Sequence, residues 1–312
     1  MPFAQNSRSG LSYLEEVTFG TTEAGNFTSL PLNTHSLTVS KDRVQGNEIQ
    51  PDRMTRVDRH GNRQAGGDIV VDLRAGDFDA ILESAMFSVW DNTPVGPDEL
   101  KVGVAPKYFS IEDAANDISQ YRLFSGMAVS SMAVSLAPNQ MVTTTFSMVG
   151  KDGAVSGTGK TVDAASTNQP FDSYSGSLAI GNVASSSVTA IVTSIDFTVD
   201  NALSPTFVVG SDSTPQLEYG MASVEGTITA YFEDADLITR FIDEVQSELI
   251  VSINDPSAVN EYTFVFPRIK VNGADVPVGG QTGSRMISIP FVAIYDATEG
   301  TNFMITRPDT TV

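Results

Sequence analysis

"GGDIVVDLRAGDFDAILESAMF", residues 66–87, reads as a strand, a turn and a short helix, and "VEGTITAYFEDADLITRFIDEV", residues 224–245, reads the same way. In each a Gly is followed two residues later by Ile and ten residues later by Asp: Gly67, Ile69, Asp77 and Gly226, Ile228, Asp236. An apolar helix face comes next. In the first stretch it is Phe78, Ile81, Leu82, Ala85 and Met86, at the spacing of one helical stripe; in the second it is Leu237, Phe241 and Val245, with Ile238 and Ile242 beside them. Asp77 and Asp236 stand where a carboxylate caps a helix N-terminus, accepting orphan N–H groups at the positive end of the dipole.

Extending the comparison outward supports a tandem repeat. "SLTVSKDRV" and "SIDFTVDNA" precede the paired segments by the same distance to within a residue. Downstream, "KYFSIEDA" answers "LIVSINDP", "YRLFSGMAV" answers "YTFVFPRIKV", and "TTTFSMVGKDG" answers "MISIPFVAIYDA". Most of these are short β-branched and aromatic runs of period two, broken by Gly, Pro, Asn or Asp, so the expected fold is mainly β with two helices. The expected organisation is an arm over 1–35, a first unit over 36–152, a linker or excursion over 153–189 and a second unit over 190–312. The arm has few apolar anchors and reads either as a frayed terminus or as a segment that orders against a neighbour.

Composition narrows the function. The 312 residues, 41% of them hydrophobic, hold ample material for packed cores. Their 38 acidic against 18 basic residues leave a charge of −20, which argues against binding nucleic acid by phosphate neutralisation. There is no cysteine, hence no disulfide or thiolate metal site. "MPFAQNSRSGLSYLEE" lacks the apolar core of a signal peptide, so the expectation is a soluble chain made in the cytosol.

Enzymatic motifs fail on spacing. "GTGKT", residues 157–161, lacks the earlier Gly of a phosphate loop, since Ala154 stands there, and no apolar helix follows. His35 and His60, the only histidines, read as exposed loop residues without a zinc or catalytic scaffold. "DNTPVGPDE" and "GSDSTPQLE" lack the frame of a calcium loop. No catalytic residue, metal site or cofactor is expected. One stretch has contrary charge: residues 41–63 carry Lys41, Arg43, Arg53, Arg56, Arg59 and Arg63 against four acids, a net +2 on a chain whose remainder is −22. Arginine pairs bidentately with carboxylates, so on so acidic a chain this loop has partners in other copies of itself; otherwise it is a solvated hairpin.

With these features the sequence resembles the tail tube (major tail) proteins of long-tailed, siphovirus-like bacteriophages. The resemblance is carried by "SKDRVQGNEIQPDRMTRVDRHGNRQAGGDIVVDLRAGDFDAILESAM", by "PQLEYGMASVEGTITAYFEDADLITRFIDEVQSELIVSINDPSAVNEYTFVFPRIKV" and by "GTNFMITRP". It implies a β-sandwich or half-barrel with a flanking helix, and a six-fold ring whose sheets join edge to edge. Such rings stack into a hollow tube through which DNA passes without specific binding. Implied partners are other copies of the chain, the tape measure protein, and the tail terminator and distal tail proteins; the implied location is the virion tail. One unit per subunit is usual in the family, so a chain with two units is expected to close as a trimer of pseudo-six-fold symmetry, with a hexamer as the alternative. A virion decoration or adhesin-type β-protein is the competing reading, and a β-sandwich hydrolase a third.

Overall fold

The computed structural model describes residues 3–52, 54–92, 96–175, 177–182, 187–188, 192–233, 235–256, 260–278, 280 and 282–308. In the first half lie β1 (Ser9–Glu16), β2 (Thr28–Leu30), β3 (Thr34–His35), β4 (Thr38–Gln45), β5 (Asp58–Asp72), α1 (Asp79–Met86), β6 (Asp98–Lys101), β7 (Tyr108–Ala115), β8 (Gln120–Leu136), β9 (Thr143–Gly150) and β10 (Asp152–Ser156). The second half holds β11 (Ser177–Asn182), β12 (Ser187–Val188), β13 (Val192–Asp200), β14 (Ser204–Pro205), β15 (Leu217–Glu218), β16 (Ser223–Tyr231), α2 (Asp236–Ile242), β17 (Ser247–Asn254), β18 (Glu261–Val271), β19 (Met286–Ala293) and β20 (Met304–Arg307). The fold is mainly β, as the period-two patterning predicts. In β9 and β17 buried and part-exposed residues alternate one by one, because successive side chains of a strand point to opposite faces.

All ladder pairings between these strands are antiparallel, and they repeat. In the first half β2 pairs β1, β1 pairs β7, β7 pairs β8, β8 pairs β9 and β10, β9 pairs β5, and β5 pairs β4. In the second half β12, β11, β17, β18, β19, β20, β16 and β13 take the same places in the same order. Register repeats as well. Ile69 faces Phe146 and Ile228 faces Ile289; Phe109 faces Met127 and Ile111 faces Phe124, just as Ser247 faces Ile269 and Leu249 faces Phe266. Between those last pairs each copy carries the same bulge, where one residue of the shorter strand opposes two of the longer. Gly126, at φ 66°, sits in one bulge and Pro267 in the other, residue types that a bulge accommodates.

The bulges matter because they let β8 and β18 serve two sheets. The first part of β8 pairs with β7 and β10, and its second part with β9 and β13. One layer therefore runs β4, β5, β9, β8, β13, β16, β19 without a break across the two halves. The outer strands form the other layer, where β20 of the second half pairs with β6 of the first. Their apolar sides meet in a single core that includes Phe78, Leu82, Phe109, Phe146, Phe197, Phe264, Phe266, Phe291 and Phe303.

The shared Gly and Ile of the opening stretches are explained here. A Cβ on Gly67 would lie 2.6 Å from the carbonyl oxygen of Ser36, just ahead of β4, and one on Gly226 would lie 2.7 Å from that of Asp196 in β13, the equivalent position of the other copy. Ile69 and Ile228 are both buried core residues.

Several expectations are corrected. Residues 9–16 are not a free arm: β1 lies along β7 over its whole length, because Leu11 and Tyr13, two residues apart on one face of the strand, are buried and anchor it. Likewise 153–189 is more than a linker, since β10 and β11 are ladder strands within it. The repeated set thus starts ahead of residues 36 and 190. Asp77 does not cap α1, which starts two residues later with Phe78 at the cap position and no side-chain cap bond; Asp77 instead accepts a hydrogen bond from Asn168 Nδ2 at 3.1 Å. Asp236 is the first residue of α2, after Ala235 at the cap, and its side chain falls outside the described residues.

Candidate functional site

The side of the continuous layer that faces away from the core is set by ladder register, since directly paired residues share a face. One row across it is Asp72, Thr143, Ser135, Asp196, Thr227 and Pro290; the next is Val70, Thr145, Ala133, Thr198, Glu225 and Val292; a third is Asp68, Ser147, Ser131, Asp200 and Ser223. These rows hold the carboxylates Asp68, Asp72, Asp196, Asp200 and Glu225, several small hydroxyls, and no Lys or Arg. Two carboxylates are tied to the sheet by those hydroxyls: Ser147 Oγ donates to Asp68 at 2.7 Å and Ser135 Oγ to Asp196 at 2.5 Å. The second row continues from Val292 onto β18 with Lys270, which Glu244 holds at 3.2 Å. The face is acidic, hydroxylated and almost flat in side-chain size.

The two halves are locked where α1 meets the second half. Asn201, 3% exposed, follows β13 and donates from Nδ2 to the Ala85 carbonyl at 2.9 Å and to Val129 at 3.3 Å. Arg307 on β20 pairs with Asp79 at the start of α1, reaches Asp98 on β6 through Nε at 2.9 Å, and lies over the Trp90 ring at 4.2 Å. Tyr262 completes the knot: its hydroxyl donates to Asp79 and accepts from Gly76 N at 2.9 Å. Burial, with Asp79 beside it, pushes the Tyr262 hydroxyl well above its ordinary value. Burial alone would lower the Arg307 guanidinium, but Asp79 and Asp98 outweigh it and raise it. Neither Asn201 nor Arg307 is distinguished by any sequence spacing, because the nearest in sequence of the residues they bond is 72 positions away.

The arginines of residues 41–63 do not gather into one site. Residues 38–45 and 58–66 form a hairpin whose strands are largely exposed. Arg43 pairs with Asp58 at 2.7 Å and Arg56 with Asp52, both pairs within the hairpin. Arg59 is exposed, and Arg53 lies outside the described residues. Arg63 is engaged within the chain, with Asp152 at 3.0 Å and Asp212 at 3.3 Å. His60 is exposed on β5, whereas His35, expected in an exposed loop, lies in β3 with Nε2 3.4 Å from Asp113. Burial would raise the Asp113 carboxyl, but His35 and Arg122 bring it below its ordinary value. Among the described residues no three His, Cys, Asp or Glu side chains are grouped as a metal ion would need.

The chain is a two-layered antiparallel β-protein whose open face carries carboxylates spread across its strands. The comparison with known families is more specific: a family model described as phage tail tube protein matches residues 6–293, and the chain belongs to that family. It is a structural component of a virion tail. No curated protein matches it.

Proposed function

We propose that the chain assembles into stacked rings forming the hollow tail tube, with the acidic face of the continuous layer lining the channel through which DNA passes. The observation that carries this reading is the absence of cations from the three rows across β5, β9, β8, β13, β16 and β19. Phosphate contacts from Lys and Arg make binding tight and salt-dependent, so a wall that must let the backbone slide has to lack them. Substituting Ala133→Lys, Thr145→Lys and Thr198→Lys together, in one row, is expected to leave tubes intact but to make DNA release from particles slow and strongly salt-dependent. Release at the parental rate would remove the lining role from this face.

The recurrence of strand order, register and bulge supports a tandem duplication, and a duplication fixes the ring number. If single-unit subunits close as six, chains with two units close as three, because closure fixes how many sheet edges meet and covalent linkage changes only how many chains supply them. Three chains place −60 on each ring. Averaged images of tubes, or the mass of isolated rings, should give three-fold symmetry; six chains per ring would sink the trimer and leave the tail tube reading standing. Other partners of this reading are the tape measure protein inside the tube and the tail terminator and distal tail proteins at its ends.

The exposed hairpin is the contact to another subunit. Its ion pairs are solvent-exposed and worth little to folding, roughly 0–1 kcal/mol each. Arg53→Ser, Arg56→Ser and Arg59→Ser together should therefore leave the monomer's thermal transition unchanged while impairing tube formation. Polymerisation like the parent's would make the hairpin a solvated surface feature.

A further inference from the structure

The two helices hold the same place in the repeated plan and differ in environment. Leu82 and Met86 of α1 are fully buried, whereas at the matching positions Phe241 of α2 is 38% exposed and Val245, just beyond the helix, 36%, and Ile242 at the end of α2 is 69% exposed. Part of what buries α1 comes from the second half of the chain. Asn201 at the end of β13 holds the last turn of α1, and Tyr219, in the segment joining β13 to β16, packs edge-on against Phe87 with its hydroxyl donating to the Val104 carbonyl at 3.3 Å. The counterparts of β13 and that segment in the first half are β4 and the β4–β5 hairpin, and these stand exposed.

Strand edges show the same asymmetry. Residues 131–136 of β8 pair with β13, but the equivalent stretch, residues 273–278 beyond β18, has no strand on its outer side among the described residues, and neither has β4. That stretch still follows the plan, since Asp275 bridges Ser288 as Ala133 pairs with Thr145.

We infer that the apolar face of α2 and the 273–278 edge form one docking surface, occupied by β4 and the β4–β5 hairpin of a second copy of this chain, in the register that joins β8 to β13 within a chain. The inference rests on the ring reading and specifies its junction. The intrachain seam is the template: Thr198 faces Ala133 there, so Thr38 of one copy faces Asp275 of the next. Charge agrees, because Asp243 is exposed just after α2 and the incoming hairpin presents Arg59. An unpaired sheet edge beside an exposed apolar face is also the feature that strand addition removes. The junction is head-to-tail, so each copy offers one donor edge and one acceptor edge, and closure follows from repetition. Equivalence with the β13–β16 segment places this hairpin on a neighbour in the same ring, not in the next one.

Because the chain has no cysteine, an engineered pair reports without background. In tubes of the full chain carrying Thr38→Cys and Asp275→Cys, oxidation is expected to yield reducible species that end at a closed ring of covalently joined chains, while either single variant stays uncrosslinked. Directly opposed strand residues lie within the span that a disulfide bridges. Phe241→Asp with Ile242→Asp should leave the monomer's circular dichroism and thermal transition unchanged and abolish ring formation. Rings that form without the crosslink, or a doubly substituted chain that assembles like the parent or fails to fold, would overturn the docking surface alone. A parent chain that forms no rings under any condition would overturn the ring reading and this inference with it.

Discussion

Gly67→Ala is expected to destabilise the chain by about 3–5 kcal/mol, combining backbone strain with overpacking. Gly67 has φ 139°, a conformation L side chains rarely adopt, and an added Cβ would meet both the Ser36 carbonyl oxygen at 2.6 Å and the Leu37 Cα at 2.9 Å. Neither neighbour is the end of a flexible side chain, so the strands themselves must separate. Gly226→Ala meets the equivalent Asp196 carbonyl at 2.7 Å, and Phe291 Cζ at 2.6 Å, but without the positive φ. Its cost should be smaller, roughly 1–3 kcal/mol, since strain from overpacking acts there alone. Urea unfolding of dissociated chains measures both. Two losses under about 0.5 kcal/mol, the range of an ordinary surface change, would show that the glycines are not required by the close approach of the strands.

The second large effect is at the knot between the halves. Arg307→Ala removes the cation from two carboxylates, one of them, Asp98, fully buried, and strips a guanidinium from the Trp90 ring. Removing one partner of a buried ion pair costs about 3–5 kcal/mol, because the remaining charge stays desolvated. The loss should appear as an early transition that uncouples the second half's β20 from β6, followed by unfolding of the rest. Arg307→Lys keeps the charge but cannot span Asp79 and Asp98 with a planar fork, so it should recover only part of the loss. A single transition at the parental temperature for Arg307→Ala would mean that the halves are held by the β8–β13 ladder alone.

The fate of particular residues shows which signals were readable. The alternation in 143–150 and 286–293 is that of β9 and β19, and Gly67 and Gly226 mark equivalent strands. The missed strand β1 has Leu11 and Tyr13 as its buried anchors, and β11 sits in a polar stretch that composition reads as linker. Asp77 was misread because a carboxylate ahead of an apolar run is a cap only if the helix starts at the next residue; here it starts two later. The charge run of 41–63 was visible as composition, yet Arg63 is engaged by Asp152 and Asp212, which only folding brings near it.

What the sequence determined by itself is local: strands from the two-residue period, helices from the 3.6-residue stripe, the repeat from matched element order, and the acidity from composition. These follow from backbone geometry and composition, which need no partner. The tertiary structure alone decided which carboxylates share a face, because face depends on register and a slip of one residue would turn every side chain to the other side. It also decided that α1 is sealed while α2 is open, a difference made by residues 201–219 crossing from one half to the other. Two helices of like pattern differ because burial belongs to the neighbours that chain connection supplies, and the β8–β13 seam places such neighbours on α1.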